Sequence, residues 1–116
     1  MANKYLDSVI PVLAVNKLSE VHEFYKSIFG ETDIEPAEGV AEWEVVEGHY
    51  IQVTEIPERA GKNAVVVGCT DIAAFVAELR EKNIEVSDPV DYGVVIVAVT
   101  TDPAGNEIQF AQVVDE

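Results

Sequence analysis

The sequence predicts an α+β domain made of two successive βαβββ modules. Each half reads as strand, helix, strand, strand, strand, and each helix carries one apolar stripe. A turn, Asp102-Pro103-Ala104-Gly105-Asn106, also leads into an alternating last strand, Glu107 to Phe110. The halves repeat at a period of about 55 residues, which is too long for a solenoid and suits two paired modules. Order and spacing carry this duplication, because identity between the halves is slight. Residues 1–116 form a single domain, with module 1 at about 5–56 and module 2 at about 63–114.

In the first half, Ser8 to Val15 is strand-like, with Pro11 marking an edge or a bulge. Lys17 to Phe29 has helical period, with Leu18, Val21, Tyr25 and Ile28 on one stripe and Phe24 and Phe29 at its margins. Gly30 is placed to cap that helix. Thr32 to Pro36 is a short strand, and Glu42 to Glu55 is a hairpin turning at Glu47-Gly48 or Gly48-His49. Either two-residue turn puts Trp43 and Val45 on one face with Tyr50, Gln52 and Thr54, and Val46, Ile51 and Val53 on the other. Glu42 and Glu44 then face away from Trp43, towards solvent.

Ile56 to Lys62, with Pro57 and Gly61, is a linker, after which the pattern restarts. Asn63 to Cys69 is a strand, and Asp71 to Lys82 a helix striped by Ile72, Phe75, Val76 and Leu79, with Thr70 or Asp71 as its N-cap. Ile84 to Val86 is a short strand, Asp88 to Gly93 a loop, and Val94 to Gln112 a hairpin. Its last strand puts Ile108 and Phe110 on one face and Glu107, Gln109 and Ala111 on the other.

The net charge of −15, from 22 acidic and 7 basic residues, disfavours nucleic-acid binding, which needs a basic footprint. It fits either plain solubility or a preference for cationic small molecules. No run is long enough for a membrane span, no signal peptide is evident, and the single Cys69 forms no intrachain disulfide or cysteine metal cluster. A cytoplasmic location is expected. His22 lies in the first helix and His49 at a hairpin tip, lone histidines of the kind that are more often surface or core residues than ligands, and no Ser/His/Asp or Cys/His set can be drawn.

Paired βαβββ modules, Phe24-Tyr25 followed by Gly30, and Asp102-Pro-Ala-Gly-Asn before the last strand together resemble the vicinal oxygen chelate superfamily. This group includes glyoxalase I, bleomycin-resistance proteins, extradiol dioxygenases and fosfomycin-resistance enzymes. The resemblance covers essentially the whole chain and implies curved mixed sheets that form a cup-shaped cavity, with homodimers in members this short. The metal ligands of its enzymes carry over to Ile10, Gln52, Ala64 and Gln109. Ile10 and Ala64 have no donor atom, and neutral amides bind divalent transition metals weakly. The resemblance therefore implies a protein of the bleomycin-resistance type that needs no metal or other cofactor.

The expected cup lining includes Trp43, Tyr50, Gln52, Glu107 and Gln109, with Ile10, Val12, Ala14, Ala64 and Val66 as apolar wall. Trp43 can stack on a flat or cationic guest, or can serve as a core aromatic or dimer contact. The leading reading is a metal-independent, homodimeric binder of an organic, cationic or aromatic molecule. The alternatives are a lyase, isomerase or dioxygenase with an atypical site through Gln52, Gln109 and Glu107, and a dimeric module that binds nothing.

Overall fold

The computed structural model describes residues 3–31 and 34–114. The element order is β1 (Val12–Val15), α1 (Leu18–Phe29), β2 (Ile34–Ala37), β3 (Val40–Val46), β4 (His49–Glu55), β5 (Ala64–Gly68), α2 (Ile72–Glu81), β6 (Val90–Asp91), β7 (Val95–Thr101) and β8 (Glu107–Val113). The strands form two four-stranded sheets ordered β1-β4-β3-β2 and β5-β8-β7-β6. In each, the first strand runs parallel to the last and the other pairs are antiparallel. This is the predicted pair of βαβββ modules. Of the strand predicted over Thr32 to Pro36, residues 32 and 33 lie outside the described residues.

Each helix covers one face of its sheet with the predicted stripe. Val21, Tyr25 and Ile28 are buried in α1, and Ile72, Val76 and Leu79 in α2. They pack on Leu13, Trp43, Ile51 and Val53 in one module and on Ala98, Ile108 and Phe110 in the other. Both helices begin on a donor claimed by their module's last strand. Leu18 N–H donates to Glu55 Oε2 (2.8 Å), and Ile72 N–H to Gln112 Oε1 (2.7 Å). Asp71 adds an N-cap by accepting from Ala74 N–H.

The modules meet through side-chain amides. Both edge-facing groups of Ala14 in β1 are taken: its N–H donates to Asn63 Oδ1 (3.0 Å), and its C=O accepts from Asn106 Nδ2 (2.7 Å). Asn106 Oδ1 accepts from Asn63 N–H, and Asn106 Nδ2 also donates to Asp102 Oδ2. Tyr25 of α1 donates its hydroxyl to the same Asp102 oxygen at 2.5 Å. Gly61 has φ 78°, and a Cβ there would lie 2.2 Å from the carbonyl oxygen of Ala104, so the linker touches the Asp102 turn backbone to backbone.

Three expectations are corrected. The first strand begins at Val12 rather than Ser8, since Pro11 offers only its C=O, to Gln52 N–H, and has no N–H for the ladder. Ile84 to Val86 is not a strand. Its place beside β7 is held by Ser87, which donates its N–H to the Val99 carbonyl and accepts Val99 N–H on Oγ, while the short strand comes later, at Val90–Asp91. The third correction concerns the first hairpin. Its turn is the predicted Glu47-Gly48, but Glu44 pairs with Tyr50 and Val46 with His49, leaving Val45 as an extra residue. That β-bulge reverses the parity of β3 against β4.

Burial, followed by the hydrogen bond to Asp102 and its charge, pushes the Tyr25 phenol well above its usual range. Since the folded value lies above the unfolded one, this contribution to stability is intact below about pH 10 and is lost as pH rises beyond it. Tyr25→Phe should cost about 1.5–3 kcal/mol at neutral pH, the worth of a bond to a charged acceptor. Denaturant melts should show wild-type stability falling above about pH 10 with an added slope of up to about 1.4 kcal/mol per pH unit that Tyr25→Phe lacks. Parallel alkaline profiles would refute this role.

Candidate functional site

With the helices on one side, each sheet is left with an uncovered opposite face. In module 1 that face carries Val12 beside Gln52, Ala14 beside Thr54, Glu42 across from Gln52, and Glu44 across from Tyr50. In module 2 it carries Ala64 and Val66 beside Glu107 and Gln109, with Val99 and Thr101 across from Gln109 and Glu107. The structure therefore groups Tyr50 with Gln52, and Glu107 with Gln109, as predicted. Ile10 precedes β1 and is exposed, so Val12 rather than Ile10 stands beside Gln52.

Trp43 lies elsewhere. It pairs with Ile51 and is 0% exposed beneath α1, in contact with the Tyr25 and His22 rings at centroid distances of 5.4 and 5.6 Å. Its Nε1–H donates to the Gly30 carbonyl at 2.9 Å, so the indole's polar handle is satisfied inside the module. The same parity change brings Glu42 and Glu44 to the open face, where sequence reasoning had not placed them. The missed signal is the bulge at Val45, which neither propensity nor turn chemistry marks.

The polar groups of the open faces are organised in two similar pairs. Gln52 Nε2 donates to Glu42 Oε2 (2.8 Å), and its amide oxygen accepts from Thr54 Oγ1 (2.8 Å). Gln109 Nε2 donates to Glu107 Oε1 at 2.6 Å. All five of these side chains are half-buried. The amides bring no positive charge, so each face presents an anchored carboxylate without a cationic partner from the amide. None of the 7 Lys and Arg residues lies in a strand.

The donor set suits a metal poorly. Val12, Ala64 and Val66 offer no ligand atom, the Gln52 oxygen already accepts a hydrogen bond, and Gln109 offers only a neutral amide oxygen. Among the described residues, no three His, Cys, Asp or Glu side chains come together in a group that could hold a metal ion. Cys69 is partly buried against the core.

Two concavities accompany the faces. A groove of about 720 Å³ lies between the end of α2 and β7, where Arg80, Asn83, Ser87 and Thr101 line it. Arg80 is engaged there, donating through Nη2 to the Val86 carbonyl and to Asp88. The other, about 430 Å³, lies between the β3–β4 hairpin and β5. No helix among the described residues is long and apolar enough to cross a membrane.

No family model and no curated protein matches the chain. Solved structures do match over nearly its full length. A glyoxalase/bleomycin resistance protein from Catenulispora acidiphila superposes with a TM-score of 0.83 at 28% identity, covering 92% of this chain and 98% of that one. TnmS3, an antibiotic binding protein from Streptomyces sp. CB03234, gives 0.82 at 18% identity, with 97% and 100% covered. A bleomycin resistance determinant encoded on the transposon Tn5 gives 0.77 at 17%, with 92% and 98% covered.

The placement of Trp43 has a direct optical consequence. Its emission should be blue-shifted and almost insensitive to acrylamide until the protein unfolds, and Trp43→Phe should cost about 1–3 kcal/mol through lost packing and the lost bond to Gly30. Ready quenching in the native state would place the indole on the open face instead.

Proposed function

We propose that this protein, which has the glyoxalase/bleomycin-resistance fold, is a metal-independent binding protein for a small organic cation with aromatic character. Its cup would be closed by the open sheet faces of two chains. The observation carrying this reading is the make-up of those faces: an apolar floor, two anchored amide–carboxylate pairs, and strands free of Lys and Arg. Glu42, Gln52, Glu107 and Gln109 hold the charged part of the guest. Tyr50 supplies the aromatic surface first expected of Trp43, and Glu44 sits next to it.

Dimer formation follows from the same faces. The exposed side of module 2 carries Val66 and Val113, 62% and 72% exposed, and burying such apolar area is favourable. A second copy would cover it while leaving the carboxylates to the guest. The antibiotic-binding neighbours support small-molecule capture as the activity. The poor donor set supports capture without metal.

Calorimetric titration with matched cationic, neutral and anionic aromatic compounds tests this directly. The cation should bind saturably and more weakly as salt is raised. Glu42→Gln and Glu107→Gln should each weaken it by about 1 kcal/mol, roughly fivefold. Sedimentation should give twice the chain mass. Equal binding of the anionic compound would reject the cationic guest. Stoichiometric uptake of Ni²⁺, Zn²⁺, Mn²⁺ or Fe²⁺ that Gln109→Ala abolishes would reject the metal-independent reading in favour of a metal-dependent lyase, isomerase or dioxygenase. A stable dimer that binds none of the compounds would leave a structural module.

A further inference from the structure

We propose a second binding site within a single chain, in the cavity of about 430 Å³ between the β3–β4 hairpin and the free edge of β5. Its guest is a flat, uncharged, largely apolar molecule bearing an amide-like donor–acceptor pair. This goes beyond the cup proposed above: Tyr50 and Val66 border both, but the cavity needs neither a second copy nor the paired carboxylates.

Pro11, Val45, Ile51, Val65 and Val67 give the cavity apolar walls, and no Asp, Glu, Lys or Arg lines it. An ion would be desolvated there without a partner, so the walls select an uncharged body. The volume falls within the range of about 300–1,000 Å³ typical of small-molecule pockets.

Hydrogen-bonding capacity comes from the backbone. β5 pairs only with β8, and its odd-numbered residues turn towards that partner: Asn63 C=O accepts from Glu107 N–H, and Cys69 N–H donates to Ala111 C=O. Alternation in a parallel ladder then aims the N–H and C=O of Val66 and Gly68 away from β8, along the cavity side of the strand. A planar amide or lactam edge meets such a strand as a neighbouring strand would. The His49 imidazole, at the exposed hairpin tip on the opposite wall, adds one polar group.

Gly68 supplies the independent observation. Glycine weakens a strand interior and commonly marks close approach by a ligand or another backbone. Most glycines of this chain have positive φ, but Gly68 does not, and a Cβ built on it would meet no atom within 4 Å. Neither backbone conformation nor the protein's own packing therefore requires a glycine here. Gly68 is itself one of the residues that line the cavity.

2-Quinolone, a neutral flat fluorophore whose lactam edge carries one N–H donor and one C=O acceptor, is the probe. Titration should give a saturable rise in emission at about one molecule per chain. Gly68→Phe, whose Cβ meets no neighbouring atom and whose ring adds bulk at the cavity wall, should weaken binding about tenfold or more, whereas Glu107→Gln should change it less than about twofold. Amide shifts on titrating unsubstituted ¹⁵N-labelled protein should centre on His49 and residues 65–68, which keeps the test decisive should Gly68→Phe fail to fold. Absence of saturable binding, undiminished binding by folded Gly68→Phe, or shifts centred on Gln52 and Gln109 would overturn the site. Loss of cation binding in Glu107→Gln bears only on the cup, so the two proposals fail separately.

Discussion

The Asp102 carboxylate is the point on which the two modules are hung. It is 3% exposed, yet each of its oxygens is saturated. Oδ1 accepts the N–H groups of Ala104, Gly105 and Asn106 within its own turn, and Oδ2 accepts Tyr25 and the Asn106 amide. A charge so buried is tolerable only because every lone-pair direction is used. The turn thus becomes rigid, and its rigidity orients Asn106, whose other contacts fasten β1 of the first module through Ala14. Tyr25 does the same for α1. One residue thereby fixes both the sheet edge and the helix of the opposite module.

That fastening settles which sheet faces remain open. Because β1's edge is consumed by amide side chains and both helices are drawn to one side, the remaining sheet faces are left open. Lys82 Nζ donates to the Ser27 carbonyl at 2.9 Å, linking the end of α2 to α1, and each helix is already engaged with the other face of its own sheet. Duplication extends to detail in this frame. Each module uses its last strand to satisfy the first N–H of its own helix, and each places a glutamine on the open face with a carboxylate as its acceptor. In one module that carboxylate lies across the ladder, and in the other two residues along the same strand. Similar chemistry reached by different routes indicates a constraint on the face rather than on the connectivity.

Much of this was legible in the sequence because it depends on period and local turn chemistry. The stripes of α1 and α2, the order of elements and the turn at Asp102 all follow from residues close together in the chain. The long-range roles of Asp102 and Asn106 do not. Their spacing announces a turn, while bonds to Tyr25 and Ala14, 77 and 92 residues away, depend on how the modules abut. The misplacement of Trp43 has a narrower cause. In a strand one inserted residue inverts every face assignment before it, and Val45 is such an insertion, with an ordinary side chain that gives no sign of it. In module 2, where no bulge intervenes, the predicted sharing of a face by Glu107, Gln109, Ala64 and Val66 agrees with the ladder.

The bulge also explains an apparent contradiction in composition. A strand reading Ala-Glu-Trp-Glu-Val-Val alternates cleanly, and with two acidic residues it would normally be assigned a solvent-facing side. Here the tryptophan takes the core because α1 offers it both aromatic neighbours and an acceptor at Gly30, so the carboxylates are committed to the opposite face whatever that face does. Solubility alone would be served by carboxylates free in water. Glu42 and Glu107 are instead half-buried and tethered by amides, an arrangement that costs side-chain freedom and gains only modest hydrogen-bond energy. On the proposed reading, carboxylates held in this way would favour an incoming positive charge more than mobile surface acids could, because their ordering precedes the arrival of the guest.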